Sequence, residues 1–465
     1  MGCVTEQHHN HLVVAGAGTG KTTTIVGKIK WAISQGLYQP EEILVLSFTN
    51  ASAAEMKERI LSETKDLAEG EVVASTFHKL GLEILKQCSK TPIKIARLSL
   101  EEFVMRNLAE DEQSYAESLT NIISVARMED IDLDELLEEA YKRRKIKEED
   151  LELVRRARDI NEAYKKELSA RNEIDFSDMI NTATKFIRDG KYKNPFRFVI
   201  VDEYQDISKP RFEMLKALRD LKDYDLFCVG DDWQAIYRFA GSEVNLILEF
   251  EKFWGNTKLS RIETTYRFPA SIADASGRFI MENYRQIPKK IKAMPDDDYN
   301  VTEICADSVL QTIEESIRIL RQLPNNATVF YLGRYTRDRS ILKLYFKVEK
   351  DQVIFDERPD LTINFMTAHK SKGLQADYVF AMNLKDAKMG FPSKVESSEI
   401  MKLIHPNAEK FPFAEERRLF YVTMTRAKKH LYLLTMHGHK SVFILELENL
   451  LYKKMKIIDI GLMEN

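Results

Sequence analysis

The sequence has 465 residues, of which 44% are hydrophobic and 31% are charged, and its formal net charge is −4. This composition is typical of a globular protein with about two to four domains, and it excludes a polycation that coats nucleic acid without specificity. No apolar run approaches the roughly 20 residues of a membrane span, and the start MGCVTEQHH lacks the apolar core of a signal peptide, so we expect a cytoplasmic protein with no membrane partner.

The first chemical feature along the chain is a loop of small residues, AGAGTGKT, at residues 15–22. The apolar run LVV precedes it and TTTIVGKIKWAI follows it, which predicts a strand, a loop and a helix. Glycines let backbone N–H groups close around an anion, and the helix N-terminus adds partial positive charge. In a phosphate-binding loop of this kind, Lys21 reaches the nucleotide phosphates and the Thr22 hydroxyl binds Mg²⁺. A glycine-rich turn that matches by chance is the alternative.

The surrounding chain predicts an α/β domain with a helical interruption. Residues 12–80 alternate helical stretches with the strand-like runs LVVA, ILVLSF and VVAST, whereas residues 81–175 are charged and helical. The basic residues at 142–147 suit a solvated helix face and a nucleic-acid contact equally well. Strand patterns return at residues 196–201 and 224–232, so the helical block divides one α/β domain.

An acidic pair at the end of a buried strand supplies the second half of an ATP site. The segment PFRFVIVDEYQD, at residues 195–206, is an apolar run that predicts a buried parallel strand. Asp202 can hold Mg²⁺ through water, and Glu203 can position or polarise the attacking water. The P-loop and this acidic pair together predict a protein that uses ATP and Mg²⁺.

The segment VGDDWQAIYRFAGS, at residues 229–242, follows the next predicted strand. Gln234 can hydrogen-bond both a phosphate oxygen and the attacking water. Trp233, Tyr237 and Phe239 lie close to Arg238 in the sequence, and aromatic residues beside a basic one suit stacking on the bases of single-stranded nucleic acid. The alternative is that these aromatic side chains belong to the core.

A second α/β region begins around residue 269, and its predicted strands are TEICA, TVFYL, TINFMT, YVFAM and HLYLLTM. Arg267 and Arg426 lie in or border this region. Arginines placed against a phosphate supply charge to the transition state. We therefore expect the ATP site between two lobes, where hydrolysis can be coupled to lobe closure.

Nine ordered motifs resemble those of the UvrD/Rep class of superfamily 1 helicases: AGAGTGKTTT, SFTNASAAEM, STFHKLG, DFSDMI, VDEYQD, VGDDWQAIYRFAGS, TTYRF, MTAHKSKGLQADYV and EERRLFYVTMTRAKK. The Asp232-Trp233 pair is most similar to the helicase IV branch of that family. The resemblance implies an α/β fold with two RecA-like P-loop NTPase domains. Domain 1A would comprise residues 1–80 and 173–268, a helical 1B-like insertion residues 81–172, and domain 2A residues 269–465.

The resemblance also implies roles for individual residues. Catalysis would depend on Asp202, Glu203, Gln234, Arg267 and Arg426, with the two arginines as arginine fingers. Thr22 and Asp202 would hold Mg²⁺. ATP would be bound by Ala15, Gly16, Ala17, Gly18, Thr19, Gly20, Lys21, Thr22, Thr23, Tyr266 and Gln375, with Tyr266 stacked on adenine. DNA would be bound by Phe48, Thr49, Asn50, Thr76, His78, Tyr237, Phe239 and His369.

Several features depart from the family pattern. The usual adenine-reading glutamine of an LNxxQ segment has no counterpart except Gln7, so we expect looser nucleotide selectivity. Thr23 stands where the family has arginine, and Gln375 where glutamate is common. The stretch from Arg267 to Thr367 is too short for the large 2B subdomain, which we expect to be absent or reduced.

The function that the resemblance implies is ATP-dependent 3′-to-5′ helicase or translocase activity, with single-stranded and 3′-tailed duplex DNA as partners. The alternative is an ATP-gated DNA-binding regulatory subunit that works with a separately encoded nuclease or repair protein, for instance in phage defence. The missing 2B subdomain favours this alternative, whereas the intact catalytic set argues against an inactive ATPase. The type of motif disfavours an RNA-directed helicase.

Overall fold

The structure is a computed structural model that describes residues 2–143, 146–296, 298–396, 398–404 and 409–461. Two residues of the basic segment, Arg144 and Lys145, lie outside these ranges. Within the described part of the chain, no helix combines the length and the apolar character needed to cross a membrane.

The strands are β1 (Asn10–Ala15), β2 (Ile43–Ser47), β3 (Val73–Thr76), β4 (Lys94–Ile95), β5 (Glu173–Ile174), β6 (Phe198–Val201), β7 (Asp225–Gly230), β8 (Lys258–Ile262), β9 (Thr264–Pro269), β10 (Lys292–Met294), β11 (Val301–Ala306), β12 (Thr328–Gly333), β13 (Lys347–Glu349), β14 (Gln352–Ile354), β15 (Thr362–Thr367), β16 (Ala376–Ala381), β17 (Ala427–Met436) and β18 (Lys456–Ile460).

The helices are α1 (Gly2–Thr5), α2 (Lys21–Ser34), α3 (Asn50–Thr64), α4 (Phe77–Cys88), α5 (Leu100–Arg106), α6 (Ala116–Met128), α7 (Leu133–Lys142), α8 (Glu148–Arg171), α9 (Phe176–Arg188), α10 (Lys209–Leu221), α11 (Asn245–Leu248), α12 (Phe250–Trp254), α13 (Ala270–Met281), α14 (Val309–Gln322), α15 (Glu399–Ile404), α16 (Ala414–Met424) and α17 (Val442–Leu451).

The first sheet is parallel and has the strand order β3-β2-β6-β7-β1-β8. Alternate residues of β1 enter different cores, because successive side chains of a strand point to opposite faces. Leu12 packs in the cluster formed with α4, α9 and α10, and Val13 packs in the cluster formed with α2 and α3. Helices therefore cover both faces, which explains why the inner strands are continuous apolar runs.

The parallel arrangement places the C-terminal ends of these strands at one edge of the sheet. The P-loop follows β1, the acidic pair follows β6, and the segment with Gln234 follows β7. Strands β2 and β3 end at the same edge, immediately before Phe48 and Phe77. The fold thus brings the predicted ATP-contacting and DNA-contacting segments of this sheet together.

Helices α5 to α8, which lie between β3 and β6 in the sequence, form a separate apolar core. The charged helical pattern predicted helices in this part of the chain. Val104, Ile123 and Val154 are fully buried in it. The apolar side of α15, from the far end of the chain, completes this core with Ile400 and Leu403. The helical insertion therefore contacts a segment that follows β16 and belongs to the second half of the chain.

The second sheet has the order β13-β14-β15-β12-β16-β17-β11-β18, and it is parallel except for the pairs β13–β14 and β14–β15. Helix α14 covers one face, and helices α13, α16 and α17 cover the other. The predicted strands of this region coincide with β11, β12, β15, β16 and β17. Strand β18, which is not among the predicted strands, pairs with β11.

Candidate ATP site and nucleic-acid interface

Strand β9 packs directly against the P-loop. Gly18 has a φ of 73°, and a Cβ added to it would lie 2.4 Å from the Cβ of Arg267. The Thr265 hydroxyl donates to the carbonyl of Ala17 at 2.8 Å, and the N–H of Tyr266 donates to the carbonyl of Gly18 at 3.2 Å. The close approach therefore requires glycine, and it brings both Tyr266 and Arg267 to the loop.

The first residue of α2 is held by the acidic strand end. Gly20 precedes the helix with a φ of 86°, and the Nζ of Lys21 donates to Glu203 Oε2 at 2.6 Å. Burial alone would lower the pKa of Lys21, but the nearby carboxylates, Glu203 first, then Asp231 and Asp202, outweigh burial and raise it. Lys21 is therefore a protonated, mostly buried cation.

The two carboxylates after β6 differ in their electrostatic surroundings. Glu203 has a φ of 49°, a strained value for a residue other than glycine, and its N–H donates to Asp202 Oδ1 at 2.9 Å. Burial, and then the charge of Glu203, raise the pKa of Asp202. Burial would raise the pKa of Glu203 too, but Lys21 and Lys372 lower it. Glu203 is thus the member of the pair that ionises more readily.

The other predicted ATP-contacting residues differ in exposure. Tyr266 is 78% exposed, so its ring is free to stack on a base. Gln375 is exposed just before β16. Gln7 lies at the N-terminal ends of the strands of the first sheet, away from the P-loop, and its amide donates to Asp225 at 3.0 Å. Gln7 therefore does not replace the missing adenine-reading glutamine. Within the loop, the buried residues are Ala15, Gly16, Ala17 and Thr19, the half-buried ones are Gly18 and Thr22, and the exposed ones are Gly20 and Thr23.

Both predicted arginine fingers reach the acidic site. The guanidinium of Arg426 is fully buried and donates to Gln234 Oε1 at 3.3 Å and to the carbonyl of Val422 at 2.9 Å. Burial, and then the neighbouring charge of Arg267, lower the pKa of Arg426 to about 9, so it remains charged at pH 7. Burial also lowers the pKa of Arg267, against the attraction of Glu203. Two cations from the second half of the chain therefore converge on the P-loop region.

A lysine from the second half joins the ATP site to the aromatic segment. The Nζ of Lys372 donates to both carboxylate oxygens of Asp206, at 2.6 and 2.8 Å, and to the carbonyl of Gln234 at 2.8 Å. It also lies 4.6 Å from the centre of the Tyr237 ring, a cation–π contact. The sequence showed Lys372 within a motif but gave no sign of its partners, because these are distant in the chain.

The predicted DNA-stacking residues of both halves form one aromatic row. The rings of Tyr237 and Phe239 are 6.0 Å apart, and those of Phe239 and His369 are 5.3 Å apart, both edge to face. Phe239 is 59% exposed and Tyr237 is half-buried. Burial, and then the charge of Arg334, lower the pKa of His369 to about 4, so its ring is neutral at pH 7.

Trp233 belongs to the core and not to this row, so the interpretation of the whole cluster as a stacking surface is wrong for this residue. Its side chain is fully buried, packs edge to face against Tyr421 at 5.3 Å, and donates from Nε1 to the carbonyl of Ile287. Trp233 is therefore a core residue, whereas Phe239 is not, because its side chain is exposed.

The remaining predicted DNA contacts lie where α3 and α4 begin. The hydroxyls of Thr49 and Thr76 cap these helices by accepting hydrogen bonds from Ser52 and Lys79. Asn50 is the first residue of α3. The helices follow adjacent strands, so two positively polarised helix N-termini share one edge, an arrangement that suits phosphate groups.

Two aromatic residues accompany these helix ends. Phe48 lies 4.9 Å from the guanidinium of Arg211, and His78 lies 5.9 Å from the ring of Phe176, which is 59% exposed. Neither Arg211 nor Phe176 was identified as a site residue from the sequence.

Comparison with known proteins identifies similar chains. A model of the UvrD/REP helicase N-terminal domain matches residues 2–254. DNA helicase IV of Escherichia coli (strain K12) is 32% identical over 96% of this chain and 69% of its own length. ATP-dependent DNA helicase Rep of Buchnera aphidicola (subsp. Acyrthosiphon pisum, strain APS) is 30% identical over 60% of this chain, and ATP-dependent DNA helicase PcrA of Leuconostoc citreum is 30% identical over 60%.

The chain covers 44% of that Rep protein and 38% of that PcrA protein, so it corresponds to less than half of either. The family match covers more than half of the 465 residues, and it includes the P-loop, the acidic pair and the segment with Gln234. These findings confirm the resemblance inferred from the ordered motifs. The chain belongs to the UvrD/REP helicase family.

Proposed function

We propose that this protein is an ATP-hydrolysing DNA helicase that moves 3′ to 5′ along single-stranded DNA. One observation supports this above all: the P-loop, the acidic pair and two arginines meet between two sheets, and Lys372 joins this site to an exposed aromatic row. ATP hydrolysis between the two sheets can therefore change the contacts that the aromatic row makes with DNA bases. The names of the related helicases agree with this proposal and do not favour the alternative of a regulatory subunit.

We infer that the two sheets are RecA-like domains, with domain 1A at residues 1–80 and 173–268, the insertion at 81–172 and domain 2A at 269–465. The P-loop strand lies inside the first parallel sheet, and β9 follows β8 directly. Within the described residues between 268 and 361, α13, α14 and strands β10 to β14 occupy most of the chain. This supports a 2B subdomain that is absent or reduced.

The donor set of the site fits ATP with Mg²⁺. The P-loop backbone and Lys21 would bind phosphate oxygens, and the Thr22 hydroxyl and the Asp202 carboxylate would hold Mg²⁺, which neutralises charge on the phosphates. Because Lys21 is paired with Glu203, phosphate would compete with Glu203 for the ammonium group. Release from Lys21 would leave the Glu203 carboxylate able to accept a proton from water.

The remaining side chains would orient the reacting groups and stabilise the transition state. Gln234 would position water, while Arg267 and Arg426 would balance the negative charge that develops during phosphoryl transfer. Tyr266 would stack on the adenine. Because Lys372 bonds Asp206 and the carbonyl of Gln234 from the opposite sheet, a change in lobe separation would move it relative to these groups.

ATP hydrolysis stimulated by single-stranded DNA is the direct test of this activity. We expect hydrolysis to rise when DNA is added and to rise less with RNA of the same sequence. Equal rates with DNA, RNA and no nucleic acid would contradict the proposal.

The Glu203→Gln variant is expected to bind ATP and DNA but to hydrolyse ATP slowly. The amide cannot accept a proton from water, and loss of general-base catalysis costs about 10²–10⁴-fold in rate. Single-turnover hydrolysis and equilibrium nucleotide binding would measure the two effects. Glu213→Gln, on the exposed side of α10, is the matched control. A loss smaller than tenfold would assign water activation to another group.

The Phe239→Ala variant is expected to weaken single-stranded DNA binding about tenfold, because one aromatic–base stack is worth about 1–3 kcal/mol. Since Phe239 is exposed, its removal should leave the melting temperature almost unchanged. A DNA titration beside a melting curve measures both, and Tyr452→Ala, another exposed aromatic, is the control. Lost stability with normal affinity would contradict the stacking role.

A further inference from the structure

A continuous chain of polar side chains runs from Lys289 to Arg426. The Nζ of Lys289 donates to Asp231 and, at 2.7 Å, to Asp232, and all three side chains are 0% exposed. The other carboxylate oxygen of Asp231 accepts from Gln234 Nε2 at 2.5 Å. Arg426 then donates to Gln234 Oε1 at 3.3 Å. Lys289 is thus linked to the arginine finger through two intermediate side chains.

This chain fixes which end of the Gln234 amide faces the nucleotide site. An ionised carboxylate only accepts hydrogen bonds, so the NH₂ group of Gln234 must face Asp231. The amide oxygen is then left for Arg426. A neutral group at position 231 could also donate, and the orientation of the amide would then depend on Arg426 alone, which can only donate to the Gln234 oxygen. Asp231 accepts from the ammonium of Lys289 on one oxygen and from the Gln234 amide on the other, so Lys289 and Gln234 share one acceptor group.

We propose that Lys289 is a positioning residue for ATP hydrolysis. It holds Asp231 as an acceptor, and Asp231 in turn holds the Gln234 oxygen toward Arg426 and the attacking water. The inference rests on the proposed ATPase function and names a residue that acts through others and does not touch the nucleotide itself.

The segment that contains Lys289 is itself held in place by the residues around Gln234. The N–H of Ile287 donates to Asp232 at 2.8 Å, and Trp233 donates to the carbonyl of Ile287 at 3.2 Å. The ammonium of Lys289 lies 4.3 Å from the centre of the Trp233 ring. Asp232 and Trp233 therefore hold this segment in place by hydrogen bonds to the backbone of Ile287.

The same segment also touches the P-loop. A Cβ added to Gly16 would lie 2.5 Å from Cδ1 of Ile291. The segment that carries Lys289 therefore contacts both the P-loop and the residues beside Gln234. A purely structural role, neutralising two buried carboxylates, is the competing explanation, and removing such a cation destabilises a protein in either case. The test must therefore separate rate from stability.

The test compares three variants by DNA-stimulated kcat, KM for ATP, DNA affinity and melting temperature. Lys289→Met removes the charge at similar volume. Asp231→Asn keeps the Lys289–Asp232 ion pair but lets position 231 donate. Asp232→Asn is the matched control, because it removes the charge of the other carboxylate that Lys289 contacts and leaves Asp231 and Gln234 joined.

We expect kcat to fall about tenfold or more in Lys289→Met and in Asp231→Asn, with KM and DNA affinity within about threefold of wild type, because the lost contact acts mainly in the transition state. Asp232→Asn should keep kcat within about twofold. If Lys289→Met does not fold, Asp231→Asn decides the question.

Two kinds of result would overturn the inference while leaving the proposed function intact: Lys289→Met or Asp231→Asn with wild-type kcat, or Asp232→Asn losing kcat as much as Lys289→Met. A wild-type protein that hydrolyses no ATP would instead remove the proposed function, and the inference with it.

Discussion

The Lys21→Ala variant is expected to lose ATP hydrolysis altogether while remaining folded. The ammonium of Lys21 is mostly buried and paired with Glu203. Its ammonium nevertheless contacts a polar group, the Glu203 carboxylate, and alanine is a good helix former at the start of α2. The loss should therefore appear in turnover and in nucleotide affinity, and hardly in the melting temperature.

Steady-state hydrolysis with saturating DNA, beside a melting curve, measures both quantities. Lys30→Ala is the matched control, because Lys30 lies on the same helix and its ammonium is paired with Glu63 at the surface. Turnover in Lys21→Ala equal to that of the control would remove the P-loop assignment.

The second large effect is expected at the arginines. Arg426→Ala and Arg267→Ala should each lower kcat by about 10³–10⁵-fold, the range measured for arginine fingers, and should change ATP affinity far less. Arginine keeps its charge in proteins, and Glu203 attracts both guanidinium groups, so we expect their charge to be available for phosphoryl transfer.

Single-turnover kinetics and equilibrium binding of ATP separate the two quantities. Arg426 is fully buried, so its removal also leaves a cavity, and the carbonyl of Val422 keeps only the hydrogen bond from the Thr425 hydroxyl. Arg417→Ala is therefore the matched control, because Arg417 is also buried but is paired with Glu446. A variant that only raised KM would identify its arginine as a ligand of the ground state.

The sequence predicted the elements whose signal is local. The run FVIV of β6 and the run VFYL within β12 are apolar because these inner strands are covered on both faces. Strand β8 was missed because it lies at a sheet edge, where most of its residues are exposed and the apolar pattern is absent. Strand β18 also lies at a sheet edge, and most of its residues are exposed. The joining of α15 to the helical insertion depends on contacts between distant residues, and no local pattern encodes these.

The residues of the candidate site also fall into two groups: those that a local motif predicts, and those that only contacts between distant residues reveal. The P-loop and the acidic pair are contiguous motifs, and the sequence therefore predicted that they meet. Lys372 and Lys289 could not be assigned, because their carboxylate partners lie 166 and at least 57 positions away. The difference between Trp233 and Phe239 is also tertiary: six residues apart, one is enclosed by Tyr421 and Lys289 and the other faces solvent.

Strand displacement tests the central claim most directly. The protein would be given duplexes with a 3′ single-stranded tail, a 5′ tail or no tail, in the presence of ATP and Mg²⁺. We predict that only the 3′-tailed duplex is separated, and that Lys21→Ala separates none. DNA-stimulated ATP hydrolysis without displacement of any duplex, or displacement that requires a 5′ tail, would contradict the account of a 3′-to-5′ helicase.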